Sequence, residues 1–186
     1  MKKKGKGISS IGYATGFFGG ADPNQAEISI KMDGTFDLLM GTSDLGQGCK
    51  TAYRQIAAEA LDVPVESIGL NNSDTDFIPM CLGAFASRAT FVGGNAIIAA
   101  CEDLKRKMRE FAAPMLEAKP EELEIGDNKV FVKGNPEKSL GMAEMGGASN
   151  FGGAYLIGTG AYIPPGPMSP DPKTGEIGRA SCRERV

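Results

Sequence analysis

Alternating apolar and polar positions mark the first clear element of the chain. From residue 26 to residue 32, every second side chain is apolar, which is typical of a strand with one buried face. Asp33-Gly34 follows as a two-residue turn signal, and residues 35–40 have the composition of a returning strand. The pattern therefore predicts a β-hairpin. Residues 7–18, rich in Ile, Tyr and Phe, show weaker strand patterning.

Two helical periodicities follow the hairpin. Apolar residues recur at helical spacing over residues 53–61, and Asp62-Val63-Pro64 predicts the end of that helix. The longest helix is predicted to begin near Ser87 or Ala89 and to end near Pro114, because one apolar stripe runs through Val92, Ala96, Ala99, Ala100, Leu104, Met108, Phe111 and Met115. The opposite face predicts a solvated surface made of Glu102, Asp103, Lys105, Arg106, Lys107 and Arg109.

Shorter elements complete the predicted fold. A strand is expected at residues 67–71, and a small hairpin at 123–132 that turns at Gly126-Asp127-Asn128. Residues 141–160 are glycine-rich and give no clear pattern, whereas the five prolines between 164 and 172 predict an extended connecting loop. The prediction is an α+β fold in which a mixed sheet with hairpins packs against at least two helices.

Composition narrows the class of protein. With 186 residues and 41% hydrophobic content the chain can bury a sizeable core, enough for about one domain. A net charge of -3 gives no reason to expect a nucleic-acid partner. No stretch approaches the roughly 20 apolar residues of a membrane span, and the basic start of the chain is not followed by the apolar run of a signal peptide. We therefore predict a cytoplasmic protein without a membrane partner.

Cysteine and histidine usage excludes several chemistries. The four cysteines form no Cys-x-x-Cys pair, which argues against a zinc ribbon or an iron-sulfur ligand set and favours reduced, buried thiols. Histidine is absent, so serine-histidine and cysteine-histidine catalytic pairs and histidine metal sites are excluded.

The last ten residues differ from the rest of the chain. Residues 177–186 are suddenly arginine-rich and have no apolar period. They resemble the translation of a common sequencing adapter, so we expect the natural gene to continue after Glu176 with different residues. On this interpretation, residues 1–176 are a partial domain and residues 177–186 are not native.

The first candidate site is the loop that joins the hairpin to the first helix. Its sequence is Thr42-Ser43-Asp44-Leu45-Gly46-Gln47-Gly48, and its glycines let backbone amides approach a ligand. A helix N-terminus presents unpaired N–H groups and a partial positive charge, and an amide side chain both donates and accepts. The loop therefore suits a phosphate or a polar heterocycle; a tight connection without a ligand is the alternative.

The second candidate site precedes the longest helix. Residues 83–90 combine small residues with two hydroxyls and an arginine. Ser87 alone could be a helix N-cap, but Arg88 and Thr90 add a charge and another donor suited to an anion.

Five motifs, taken in chain order, relate this sequence to a known family. They are Asp44-Leu45-Gly46-Gln47-Gly48, Gln55-Ile56-Ala57-Ala58-Glu59-Ala60-Leu61, Asp74-Thr75-Asp76, Ala86-Ser87-Arg88-Ala89-Thr90 and Gly93-Gly94-Asn95-Ala96. This order resembles the large, molybdopterin-binding subunits of molybdenum hydroxylases, the family of xanthine dehydrogenase, aldehyde oxidase, nicotinate dehydrogenase and 4-hydroxybenzoyl-CoA reductase. The resemblance extends over about residues 4–176 and implies an internal fragment of such a subunit.

The resemblance implies a site and a chemistry. It assigns contacts with the pterin to Leu45, Gly46 and Gln47, and contacts with the pterin and phosphate to Phe85, Ala86, Ser87, Arg88, Ala89 and Thr90. The implied cofactor is molybdenum-molybdopterin in a dinucleotide form, with iron-sulfur clusters and FAD on partner subunits. The implied reaction hydroxylates an N-heterocycle or an aldehyde with oxygen from water, and one branch of the family runs reductively.

Other parts of the family's active site lie outside this chain. The family's Gly-Gly-Phe-Gly-Gly and Arg-Gly-Phe-Gly loops and its catalytic glutamate are absent from the sequence. We therefore predict no catalytic residue and no protein metal ligand here, and we expect the fragment alone to be inactive. Two other hypotheses stay open at this point: a phosphate- or nucleotide-binding module without a redox role, and a structural α+β assembly domain in which both loops are ordinary helix caps.

Overall fold

The described part of the chain contains three α-helices and seven strands, and the strands form two sheets. The computed structural model describes residues 2–10, 22–72, 74–164 and 173–174. In chain order the elements are β1 (Asn24–Ile30), β2 (Phe36–Met40), α1 (Cys49–Leu61), β3 (Ile68–Asn72), α2 (Gly94–Ala112), β4 (Leu123–Gly126), β5 (Lys129–Val132), β6 (Asn135–Gly141), α3 (Met142–Phe151) and β7 (Ile157–Tyr162). The predicted α+β class is confirmed.

The larger sheet is mixed, as predicted. Its strand order is β3-β2-β1-β7, with β1 antiparallel to both neighbours and β2 parallel to β3. The predicted hairpin is present, but Ile30 pairs with Phe36, so its loop is longer than the two-residue turn expected. The carboxylate of Asp33 accepts hydrogen bonds from the Thr35 N–H at 3.0 Å and the Thr35 hydroxyl at 2.6 Å. These local bonds stabilise the wider turn.

One face of this sheet carries the core. Alternate side chains of β1 and β2 are buried, as the period of two requires. On this face α2 packs against β1 and β7, and α1 packs against α2 and β3. The apolar stripe of the long helix is also buried at Val92, Ala96, Ala100, Leu104 and Met108. Burial of apolar surface is the main force that holds these layers together. The stripe ends earlier than predicted, because α2 stops at Ala112 and Met115 is exposed.

Glycines bring α2 and β7 into backbone contact. A Cβ added at Gly158 would overlap the carbonyl oxygen of Ala100, and one at Gly160 would overlap that of Ala96. Only glycine allows this approach. The sequence of this strand does not alternate in polarity, because the close packing against α2 requires glycine at these two positions.

The charged face of α2 does more than face solvent. Asp103 accepts hydrogen bonds from the Thr159 N–H at 3.0 Å and from Lys107 Nζ at 2.7 Å, and Lys107 also donates to the Ile157 carbonyl at 2.6 Å. Partial burial acts to raise the pKa of Asp103, but the bonds from Lys107, Thr159 and Arg106 outweigh it and hold the pKa at about 2. These side chains therefore cover backbone groups of the edge strand β7 in addition to forming the charged, partly exposed surface.

The smaller sheet and the third helix follow. Strands β4, β5 and β6 are antiparallel, and the predicted hairpin turns at Asp127 and Asn128, which both have positive φ. The strand β6 and the helix α3 were not predicted, since their segment is rich in glycine and polar residues. The weak strand pattern after residue 10, the proline-rich loop at 165–172 and the arginine-rich tail lie outside the described residues.

Two further expectations concern thiols and membranes. Cys49 and Cys101 are buried free thiols, and burial raises the pKa of Cys101 to about 12, whereas Cys81 is only partly buried. Cys182 lies outside the described residues. Within the described ranges, no helix is long and apolar enough to cross a bilayer.

Candidate cofactor-binding site

The loop between β2 and α1 closes on itself through Asp44. One carboxylate oxygen accepts hydrogen bonds from the N–H groups of Gly46 at 2.8 Å and Gly48 at 3.3 Å, and the other accepts from Lys50 at 3.1 Å. These bonds, led by the one from Lys50, lower the pKa of Asp44. The carboxylate of Asp44 thus already occupies the N-terminus of α1. This geometry disfavours a phosphate as the ligand of the loop and favours the other candidate, a polar heterocycle.

Gln47 and the neighbouring glycines form the open surface of this loop. The Gln47 Oε1 accepts from the Leu45 N–H at 2.5 Å, and its Nε2 donates to the Ser43 carbonyl at 3.2 Å. A primary amide has two N–H donors and two acceptor lone pairs, so one of each remains for a ligand.

The glycines on either side of Gln47 leave space for that ligand. Gly46 has φ +103° and Gly48 has φ +81°, and a Cβ added at either would meet no heavy atom within 4 Å. Leu45, beside them, is 74% exposed. A flat heterocycle with donors and acceptors on its edge, such as a pterin, fits this combination of apolar face, open backbone and free amide edge.

The second loop has an unusual backbone. The Arg88 N–H donates to the Phe85 carbonyl at 3.0 Å across Ala86 and Ser87, whose φ values are 46° and 53°. Left-handed backbone costs an L-residue roughly 1–2 kcal/mol, and glycine or asparagine usually occupies such turns. A π-helical turn, Ala89–Gly93, follows before α2 begins. Strained turns and π turns concentrate at functional sites.

Arg88 does not offer its charge to a ligand. Its side chain is fully buried, and Nε bonds to Asp22 Oδ1 at 2.5 Å, within an ion pair. Nη2 donates to the Pro23 carbonyl at 2.5 Å, and Nη1 donates to the Gly83 carbonyl at 2.8 Å and to Cys81 Sγ at 3.3 Å. The guanidinium therefore points into the protein, and the expectation that its charge would meet an anion is wrong. What remains for a ligand is the main chain of Arg88.

The other residues of this segment differ in exposure. Ala86 is buried, Phe85 and Ala89 are partly buried, and the side chains that face solvent belong to Ser87 and Thr90. Ser87 is not the N-cap considered above, because the cap position falls on Arg88 and no side chain caps that helix end.

Hydrogen bonds connect the two loops close to where they join the rest of the fold. Thr42 Oγ1 lies 3.1 Å from Cys81 Sγ, and the Tyr53 hydroxyl of α1 donates to the Ala89 carbonyl at 2.9 Å. Burial raises the pKa of Tyr53 to about 12, so the hydroxyl stays protonated and able to donate. The two loops are thus neighbours, as one shared ligand would require.

Sequence reasoning missed the residues that support these loops. An acid just before a helix was a usable signal for Asp44 as an N-terminal anion. Thr42 belongs to the predicted first loop and Tyr53 to the predicted first helix. No local pattern shows that these two residues, Asp22 and Cys81 support the loops, because their partners are distant in sequence.

An α+β domain with two adjacent loops at helix entrances is the class that the geometry defines, and comparison with known proteins identifies the family. The family model described as molybdopterin cofactor-binding domain matches residues 1–181. The chain belongs to this family. The resemblance inferred from the sequence motifs is confirmed, and the nucleotide-binding and structural-domain hypotheses are disfavoured.

Individual relatives agree with this assignment. The carbon monoxide dehydrogenase large chain of Afipia carboxidovorans is 39% identical over 126 residues, which cover 68% of this chain and 16% of that protein. The xanthine dehydrogenase molybdenum-binding subunit of Escherichia coli is 31% identical over 140 residues, or 74% of this chain and 19% of that subunit. The crystal structure of quinoline 2-oxidoreductase from Pseudomonas putida 86 superposes with a TM-score of 0.70 at 30% identity, covering 76% of this chain and 19% of that chain. The chain therefore spans less than a fifth of the length of these relatives.

Proposed function

We propose that the parent protein is the molybdenum subunit of a hydroxylase resembling xanthine dehydrogenase, and that this chain supplies two of the loops that hold the cofactor. The observation that carries the proposal is the Gln47 loop. Its helix N-terminus is already neutralised by Asp44, while its outer surface keeps an open backbone and an amide edge. That surface is suited to a heterocycle and poorly suited to a bare phosphate.

Each proposed contact follows from what the side chain or backbone exposes. Leu45 offers an apolar surface to a ring face, Gly46 admits the ligand to the backbone, and Gln47 bonds to the ring edge. The second loop contributes the hydroxyls of Ser87 and Thr90, and the main chain and small side chains that shape the turn at Phe85, Ala86, Arg88 and Ala89.

The cofactor would supply the redox chemistry. The sulfurs of the cofactor would hold the metal, and this chain would contribute no metal ligand. We propose an N-heterocycle or aldehyde as substrate, water as the oxygen source, a dinucleotide form of the cofactor, and iron-sulfur and FAD subunits as partners. Relatives named for carbon monoxide, xanthine and quinoline support the class of enzyme. The cytoplasmic location and the non-native tail stay predictions.

The proposal is tested by Gln47→Ala in the complete enzyme. Loss of the amide removes about one hydrogen bond to the ring, so cofactor retention should weaken roughly fivefold to tenfold. Molybdenum and pterin per subunit are the measurement. Asn135→Ala is the matched control, because Asn135 also exposes a primary amide but lies in β6 of the smaller sheet. Equal molybdenum content in the wild type and Gln47→Ala would count against the proposal.

A further inference from the structure

A network of polar side chains, all buried except the partly buried Cys81, lies beneath the two loops. Asn24 Nδ2 donates to Thr42 Oγ1 at 3.1 Å, and Thr42 Oγ1 lies 3.1 Å from Cys81 Sγ. Arg88 Nη1 donates to the same sulfur at 3.3 Å, and Arg88 Nε bonds to Asp22. The network thus extends from the start of β1, through Thr42 at the start of the Gln47 loop, to the turn at residues 85–88.

Because most of its members are buried, breaking a hydrogen bond of this network costs much free energy. Asn24, Thr42 and Arg88 are fully buried and Asp22 is 1% exposed. Within the described residues, no buried side-chain nitrogen or oxygen lacks a hydrogen-bond partner. Because a buried polar group that loses its partner pays its full desolvation cost, the network permits few alternative arrangements of the segments it joins.

Cys81 is the member that contacts both loops. Its sulfur meets Thr42 on one side and Arg88 on the other, and it also accepts a hydrogen bond from the Gly83 N–H at 3.3 Å. Its position is fixed further by the backbone of Gly41, where an added Cβ would overlap the Cβ of Cys81. No other described side chain hydrogen-bonds with both Thr42 and Arg88 in this network.

We propose that Cys81 is a positioning residue, which holds the Gln47 loop and the turn at residues 85–88 at the spacing needed for one pterin ligand to contact both. It acts through Thr42 and Arg88 and does not itself touch the cofactor. The inference rests on the proposed function, since it concerns the same ligand. It adds a role for a thiol that the local sequence gave no reason to select.

The test compares Cys81→Ala with Cys81→Ser in the complete enzyme. Alanine removes the acceptor between the loops, so the cofactor should dissociate about fivefold faster in mild denaturant, as followed by pterin fluorescence. Serine restores an acceptor and donor at the same place, so release should return to within about twofold of the wild-type rate. Thr42→Val breaks the same link from the other side and should resemble Cys81→Ala.

A second control separates positioning from stability. Ser149 is fully buried in α3, away from both loops, and its hydroxyl donates to the Gly146 carbonyl at 3.2 Å. Ser149→Ala should lower the midpoint of urea unfolding without accelerating cofactor release. The inference is overturned if release in Cys81→Ala is no faster than in Ser149→Ala, or if Cys81→Ser fails to restore it. A wild-type enzyme that holds no pterin would instead refute the proposed function.

Discussion

The two loops that precede α1 and α2 are held in place by different interactions. At α1, the side chain of Asp44 accepts hydrogen bonds from the backbone as far as Lys50, all within one short segment. At α2, no side chain caps the helix, and a strained turn and a π turn lead into it. What holds the second loop in place is Arg88, whose ionic partner Asp22 lies 66 residues away.

This difference teaches where each loop gets its shape. The first loop is determined by bonds between neighbours in sequence, and its open face is left for a ligand. The second is determined by a buried ion pair and by contacts with β1, so its strained backbone persists only because the surrounding fold over-determines it. The comparison predicts that removing the charge partner of the second loop destabilises the protein more than removing the charge of the first loop.

Removal of the buried counter-ion should have the largest effect. Asp22→Asn leaves the fully buried guanidinium of Arg88 without its charge partner, and we expect a loss of about 3 kcal/mol in the free energy of unfolding. Urea unfolding is the measurement. The double variant Asp22→Leu with Arg88→Met should recover only part of that loss, because it buries no charge but leaves the carbonyls of Pro23 and Gly83 without their donor. A loss below about 1 kcal/mol in Asp22→Asn would show that the second loop does not depend on the pair.

Removal of the charge from the first loop should have a smaller, pH-dependent effect. Asp44→Asn keeps one acceptor oxygen but loses the ionised carboxylate. The folded-state pKa of Asp44 is below its ordinary 3.8, so its ionised form contributes stability above that value and loses it as the pH falls through the folded pKa. The difference in free energy of unfolding between the wild type and Asp44→Asn should therefore be constant near neutral pH and shrink below about pH 4. A difference that does not change with pH would refute the role of the charge.

Relief of backbone strain should have the smallest effect and the opposite sign. Ser87→Gly removes the left-handed cost at φ 53°, and after the larger entropy of unfolded glycine is subtracted we expect a gain of about 0.5 kcal/mol. Thermal unfolding measures it. Ser139→Gly, in β6 where Ser139 pairs with Phe131 of β5, is the control and should lose stability. Equal losses at both positions would show that the turn stores no strain.

Much of the fold could be predicted from the sequence. The period of two in β1 and the stripe of α2 record which side chains face the core, because apolar burial imposes that spacing directly. The strand β7 could not be predicted, since Gly158 and Gly160 are required by contact with a helix that lies elsewhere in the sequence. Likewise, no local pattern shows that Asp103 and Lys107 bond to that strand.

The same division applies to the candidate site. By itself the sequence determined the family, the two loops and their order, because these depend on residue types at fixed local spacing. Only the tertiary structure decided that Arg88 faces inward, that Asp44 occupies the first helix terminus, and that Cys81 connects the loops. The physical reason is that a hydrogen bond is specified by distance and direction, and the chain brings Asp22, Thr42, Cys81 and Arg88 within bonding distance only when the sheet and helices have packed.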